Sequence, residues 1–212
     1  ANRVDSKPAK PHNQILSSVN VGSKDTRQGN IKKEETNTVA ELRKNTAKHK
    51  LQDGGLVTVA SGLMSPDMVE FLGQFGFDAV WLEAEHGPID FGDISNLTRA
   101  SDLWNMTSIV RVNLNLPGVI YRTLDVGAQA VVVPHINTAD EAREVVQAVK
   151  FPPIGSRGSP GGLARQAMGV DRFAAKANDE TMAIVLLEDI VAIDNLSEIL
   201  AVDHIDVYFI GP

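Results

Sequence analysis

The sequence predicts an α/β protein, a TIM (β/α)8 barrel that is incomplete here, with about six of the eight β/α units, preceded by a disordered polar tail. Three observations predict it. Compact apolar runs alternate six times with helically spaced segments, the pattern of parallel strands joined by crossover helices. Those runs are apolar nearly throughout, as strands buried on both faces are. Polar residues also gather where successive runs end; in a barrel those ends converge on one mouth, whereas in an open sheet they spread along a line. A doubly wound sheet would want G-x-G-x-x-G after its first strand, where ASGLMSPDM stands instead, and the Walker A pattern is absent as well.

Each element has its own signal. Residues 1–36 are polar without a sustained apolar period and read as a disordered tail, leaving 37–212 for the partial barrel. Four acids (Asp5, Asp25, Glu34 and Glu35) interrupt the basic residues of the tail, against both a nucleic-acid arm and a transit peptide. Residues 37–50 read as a short helix, and LVTVA (56–60) as the first strand. PDMVEFLGQFGF (66–77) has helical spacing at Met68, Val69, Leu72 and Phe75, with Gly76 as a stop. DAVWLEA (78–84) is a strand. DFGDISNLTRASDLW (90–104) is a helix with Ile94, Leu97 and Leu103 roughly on one face. SIVRV (108–112) is a strand, and PGVIYRTLDVGA (117–128) a helix with Pro near its start and Gly127 near its end. QAVVVP (129–134) is a strand. TADEAREVVQAVK (138–150) is a helix in which Thr138 and Glu141 have the spacing of a capping box. A long Gly- and Pro-rich loop (151–169) follows, then a short helix (170–180), the strand MAIVLLE (182–188), a helix (192–202) and the strand DVYFIGP (206–212).

Composition narrows the function. With 212 residues, 43% of them hydrophobic, the chain can bury one real core. It has no cysteine, which excludes disulfide scaffolds, zinc–thiolate sites and cysteine nucleophiles. No apolar stretch approaches the ~20 residues of a membrane span, and no h-region marks a secretory signal; the expectation is a cytoplasmic protein without a membrane partner. Residues 1–50 hold 11 Lys and Arg against 5 Asp and Glu, a net +6, while residues 51–212 hold 9 against 22, a net −13. An acidic body disfavours nucleic acid as a partner and is compatible with a hard cation.

The candidate residues stand at strand ends. Glu188 ends IVLLE; a carboxylate there is costly unless paired or bound to a cation, so it is either a metal ligand or a carboxylate favoured by a helix N-terminus. Asp189 is expected to point elsewhere and cap the next helix. His86, in EAEHGP, suits a general base or a hydrogen-bonded loop histidine. Of Glu83 and Glu85, at most one is expected to point into the mouth from a regular strand, the other being solvated or bonded to backbone amides. Arg111, inside SIVRVN, needs an anion: a substrate carboxylate, or Glu83, Glu85 or Glu188. Asp125, in YRTLDVGA, reads as a solvated helix carboxylate. His135 faces either the mouth or solvent. The Gly-rich loop around Arg157 offers amides to an anion or is simply mobile. His12 and His49 need no function. No lysine lies on the core strands, which disfavours Schiff-base chemistry.

WLEAEHGPIDF, IVRVN, RTLDVGAQAVVVPHINTADEAREVV, KFPPIGSRG, LLEDIVAIDNLSEIL and DVYFIGP together resemble the HpcH/HpaI aldolase family of phosphoenolpyruvate/pyruvate-type barrels, related to citrate lyase β-subunits. The resemblance covers roughly residues 37–212. It implies a class II aldolase that depends on a divalent metal (Mg2+, Mn2+ or Co2+) and cleaves 4-hydroxy-2-oxo acids to pyruvate or a similar 2-oxo acid and an aldehyde, through a metal-stabilised enolate. By that resemblance Glu188 is a metal ligand, Arg111 contacts the 2-oxo acid and steadies the developing oxyanion, His86 belongs to the acid/base machinery, and Asp125 pairs with that histidine within a chain or across an interface. It also implies a homo-oligomer, typically a hexamer, for the full-length enzyme.

Two features depart from the family pattern. The second metal carboxylate is expected just after Pro212, in a G-P-x-D-L stretch, and the chain as given stops at Gly211-Pro212. Leu186 stands where many members carry glutamine. Without the tail 176 residues remain, short of the roughly 250 of a (β/α)8 barrel. A second reading is therefore a non-catalytic, truncated or partner-dependent barrel fragment with open sheet edges, and a third is a lyase acting on CoA thioesters.

Overall fold

Six parallel strands form one sheet in the order of the chain: β1 (Val59–Ala60), β2 (Ala79–Glu83), β3 (Thr107–Arg111), β4 (Ala130–Val133), β5 (Met182–Leu187) and β6 (Val207–Ile210). The computed structural model describes residues 40–160 and 164–211; the expected tail at 1–36 lies outside them. Helices α2 (Pro66–Gly73), α3 (Phe91–Leu103), α4 (Pro117–Asp125) and α5 (Ala139–Val149) join the first five strands in turn up to β4 and beyond it, and α6 (Phe173–Glu180) precedes β5. α7 (Ile190–Asp194) and α8 (Leu196–Leu200) lie between β5 and β6. This is the expected run of β/α units.

The strand period of two sorts the apolar residues into two layers. Val80, Leu82, Val110, Val131, Val133, Ala183, Val185 and Leu187 pack outward on helix residues such as Ile94, Leu97, Ile120, Val145 and Ile199. Ala79, Ile109, Ala130, Val132, Met182, Ile184 and Leu186 form a separate inner cluster, with Trp81 and Val207 against it. The sheet curls around that inner layer. In a flat sheet β2 and β6 would stand roughly 19 Å apart, yet the rings of Trp81 and Phe209 meet at 5.3 Å.

The opposite ends of the strands are closed by α1 (Thr46–Gln52), whose Ala47 joins the inner cluster. The Ala47 N–H donates to Thr107 Oγ1 (3.1 Å), Asn45 Nδ2 to the Gln129 carbonyl (3.1 Å) and Lys48 Nζ to the Thr181 carbonyl (3.0 Å). Lys48 also pairs with Asp206 at 3.0 Å. These four partners stand at the starts of β3, β4, β5 and β6, so α1 plugs the N-terminal end of the half-barrel and leaves the C-terminal end as its mouth. Lys150 is buried in the same cluster, donating to the carbonyls of Asn178 and Thr181. Burial pushes its ammonium down to about 8, with Asp206 opposing the shift and Lys48 adding to it.

Local signals account for the helix ends. Thr138 and Glu141 form the expected capping box, and Pro117 opens α4, with Gly127 just past its end at φ +121°. α3 begins with a capping box of Asp90 and Asp93 that the S/T-x-x-E/Q pattern does not include. Several expectations are corrected. Only Val59 and Ala60 of 56–60 pair, because β1 is an edge strand with one neighbour, and Leu56 is exposed. Met68, Phe75 and Leu103 are exposed, although they share helical spacing with buried residues. The helix expected at 192–202 breaks at Asn195, whose Nδ2 is tied to the Asn137 carbonyl at 2.9 Å.

Candidate active site

The inward parity of each strand carries to its last residue and beyond. On β2 it runs Ala79, Trp81, Glu83; on β3, Thr107, Ile109, Arg111; on β5, Met182, Ile184, Leu186 and then Glu188. Glu83, Arg111 and Glu188 therefore converge on the mouth, as strand-end placement implied. Glu83 and Arg111 are direct register partners, and Arg111 Nε donates to Glu83 Oε2 at 2.8 Å. The same nitrogen lies 3.1 Å from Glu85 Oε2. The expectation that at most one of the two glutamates faces the mouth does not hold: β2 ends at Glu83, the chain bends after it, and both carboxylates meet Arg111, while Glu83 is also the one bonded to backbone amides.

Glu83 organises the loop after β2. Its Oε1 accepts the backbone N–H groups of Glu85 (2.9 Å) and His86 (3.1 Å), and its Oε2 accepts Trp81 Nε1 (3.0 Å) beside Arg111. Burial works against its charge, but the hydrogen bonds from Trp81, His86, Arg111 and Glu85 outweigh it and hold the carboxyl below its ordinary range. Gly87 has to be glycine for the loop to turn this tightly, since a Cβ there would lie 2.6 Å from the Glu83 carbonyl oxygen. His86 itself is 74% exposed, with Glu85 Oε2 at 3.8 Å.

Across the mouth, Glu188 Oε1 accepts the His135 backbone N–H at 3.0 Å. His135 follows Pro134 with φ +54°, a left-handed turn that swings its ring over the strand ends. Its Nδ1 lies 3.0 Å from Asp189 Oδ2 and 3.2 Å from Glu188 Oε1, and its Nε2 lies 3.8 Å from Glu85 Oε1. The bond to Asp189 raises the imidazole above its ordinary range, with the charges of Glu188, Asp189 and Glu85 adding to it against slight burial. Of the two placements open for it, His135 takes the mouth. Asp189 departs from expectation: it occupies the N-cap position of α7 without a capping bond, and its carboxylate serves His135 and Asn137 instead.

The remaining candidates lie elsewhere. Asp125 ends α4, which starts at the mouth side and runs away from it; its carboxylate is taken by Arg157 Nη2 at 2.6 Å, and among the described residues it makes no contact with His86. Arg157 is therefore not a free anion binder. It is 4% exposed, stacks 4.6 Å from the Phe151 ring and spends its charge on Asp125. Arg165 and Gln166 pin the same loop to Asp102 and the Gly127 carbonyl. His49 pairs with Glu180 at the plugged end, and His12 lies outside the described residues. Trp81 was not among the sequence candidates; the signal for it was an indole two residues before Glu83 on an inward-facing run.

A divalent cation can be tested against these donors. Hard oxygen ligands are present and Glu188 reaches the mouth; Glu85 Oε2 makes no hydrogen bond among the described residues, but the Arg111 guanidinium already stands 3.1 Å from it, so the oxygen donors alone favour a cation. Among the described residues no group of three or more His, Cys, Asp or Glu stands arranged to hold a metal. The donors at the mouth are hard oxygens of the kind a divalent cation takes, and Glu188 could supply one of them, but the described residues do not make up a full shell. Leu186, buried two residues earlier, adds none.

Comparison with known proteins gives a consistent set of relatives. A family model described as HpcH/HpaI aldolase/citrate lyase matches residues 59–212. A hydroxypyruvate/pyruvate aldolase of Roseovarius nubinhibens is 37% identical over 171 residues, covering 79% of this chain and 66% of that protein. A 2-keto-3-deoxy-L-rhamnonate aldolase of Klebsiella pneumoniae is 38% identical over 147 residues, covering 68% and 55%. Among solved structures, an HpcH/HpaI aldolase/citrate lyase family protein from Burkholderia cenocepacia superposes with a TM-score of 0.73 at 31% identity, over 79% of this chain and 69% of that one. The chain thus spans less than two thirds of the length of both curated relatives.

Proposed function

The chain belongs to the HpcH/HpaI aldolase/citrate lyase family, and on that premise we propose that it carries the strand-end machinery of a divalent-metal-dependent aldolase. The reaction is retro-aldol cleavage of a 4-hydroxy-2-oxo acid to pyruvate, or a similar 2-oxo acid, and an aldehyde. The observation that carries the reading is Arg111. Both glutamates approach it through Nε, and among the described residues nothing bonds to Nη1 or Nη2. The outer edge of the fork is left to bind the carboxylate and 2-oxo oxygens of a substrate.

Removal of the 4-hydroxyl proton breaks the C3–C4 bond, releases the aldehyde and leaves the electron pair on the 2-oxo acid as its enolate; protonation at C3 gives pyruvate. In this reading His86 takes and returns protons, and its exposure on a loop held by Glu83 supports that role. Arg111 supplies positive charge where the enolate oxygen develops it. A divalent cation at Glu188 would supply Lewis-acid stabilisation of that same charge. Asp125 enters this reading only as a contact to another copy, because within the chain Arg157 holds it; a homo-oligomer is part of the proposal for that reason.

One observation favours a second reading. Among the described residues β1 and β6 are unpaired edges, and Leu56 and Ile210 beside them are exposed, so the half-barrel would need further strands, from its own protein or a partner, before it catalyses. The test supplies 4-hydroxy-2-oxo acids and, separately, a CoA thioester to the protein with Mg2+, and measures the products. Metal-dependent pyruvate release is expected. Folded, Mg2+-loaded protein that releases no oxo acid supports the second reading, and cleavage of the thioester alone sinks the first.

A further inference from the structure

Glu83 has a choice that its neighbours settle. A carboxylate facing an arginine side-on prefers two parallel bonds, one to Nε and one to an Nη. Glu83 makes only the Nε bond, because the oxygen that meets Arg111 also accepts the indole N–H of Trp81 at 3.0 Å while the other oxygen holds the loop amides of Glu85 and His86. Trp81 occupies the layer of the barrel just beneath: its ring centroid lies 5.9 Å from the Arg111 guanidinium carbon and 5.3 Å from the Phe209 ring on β6. A rigid indole wedged between two strands is a fixed donor, and nothing else described bonds to that carboxylate from below.

We infer that Trp81 is a positioning residue for the 2-oxo acid: its indole N–H holds Glu83 on the Nε side of Arg111, so that Nη1 and Nη2 stay free for the ligand. The inference rests on the role proposed above for Arg111. Without the N–H, the Glu83 carboxylate swings to add a second contact at the adjacent Nη of Arg111 and takes from the substrate one of the two nitrogens left to it. Trp81 acts through Glu83, and its loss should therefore matter only while Glu83 is present.

The experiment is a double-mutant cycle on the full chain with Mg2+, using pyruvate as the probe and calorimetry as the readout. Trp81→Phe keeps the ring and removes the donor; it should weaken pyruvate binding roughly tenfold, as loss of a hydrogen bond to a charged group does. In a Glu83→Ala background the same substitution should change nothing further. Undiminished binding by Trp81→Phe, or an equal loss in both backgrounds, overturns the inference. Arg111→Lys separates the two ideas: if it binds pyruvate normally, or if the unsubstituted chain does not bind it, the reading of Arg111 fails first. Should Trp81→Phe not fold, Trp104→Phe leaves Trp81 as the sole tryptophan. A saturable emission change with pyruvate then supports the inference, and none overturns it.

Discussion

Arg111 and Glu83 are neighbours across the β2–β3 pair, and a single nitrogen, Nε of Arg111, serves both Glu83 at 2.8 Å and Glu85 at 3.1 Å. Two carboxylates and one cation in a largely buried mouth leave an excess of negative charge. Arg111→Met should therefore destabilise the fold by about 2 kcal/mol, less than a fully buried pair loses because the groups keep partial access to water. Urea unfolding at neutral pH measures it. The loss should shrink in acid once the pH falls through the depressed Glu83 value.

Glu83 gives a second pH signature. Its carboxyl is held below the ordinary range in the fold, so the folded state binds fewer protons than the unfolded chain in that window. The stabilisation is complete above the ordinary glutamate range and is lost as pH falls through the depressed value. Urea midpoints taken from pH 6 down to 3 should decline, and Glu83→Gln should remove part of that acid-side slope.

Lys150 works at the other end of the scale. Its folded value of about 8 is below the ordinary lysine value of 10.5, so the unfolded chain binds the extra proton between the two. Stability should rise with pH across that interval. Thermal midpoints measured from pH 7.5 to 10 should show the rise in the unsubstituted chain relative to Lys150→Met. An identical pH dependence in the two would remove Lys150 from the account.

The strands were legible because parallel strands buried on both faces leave long apolar runs, and the mouth was legible because Glu83, Arg111 and Glu188 stand at the ends of such runs. Thr138 and Glu141 announced their helix by spacing alone. Other relations were hidden for physical reasons. Glu85 meets Arg111 from the bend after β2, which Glu83 shapes by accepting its N–H, and no strand period reaches that far. His135 leaves its strand's parity through a left-handed turn after Pro134, which no alternation pattern encodes. The pairing of Asp125 with Arg157 and the plug formed by Asn45, Ala47 and Lys48 join residues 32 to 158 positions apart, and only the packed half-barrel brings them together.

The central claim is enolate formation from a 2-oxo acid at the Glu188–Arg111 mouth. Solvent deuterium exchange into the methyl group of pyruvate tests it without any need to know the aldehyde half. The unsubstituted protein with Mg2+ should incorporate deuterium, a chelator should stop it, and Glu188→Gln should lower the rate by roughly two orders of magnitude or more. Exchange that is absent from the Mg2+-loaded protein, or that persists unchanged in Glu188→Gln or in chelator, would contradict it.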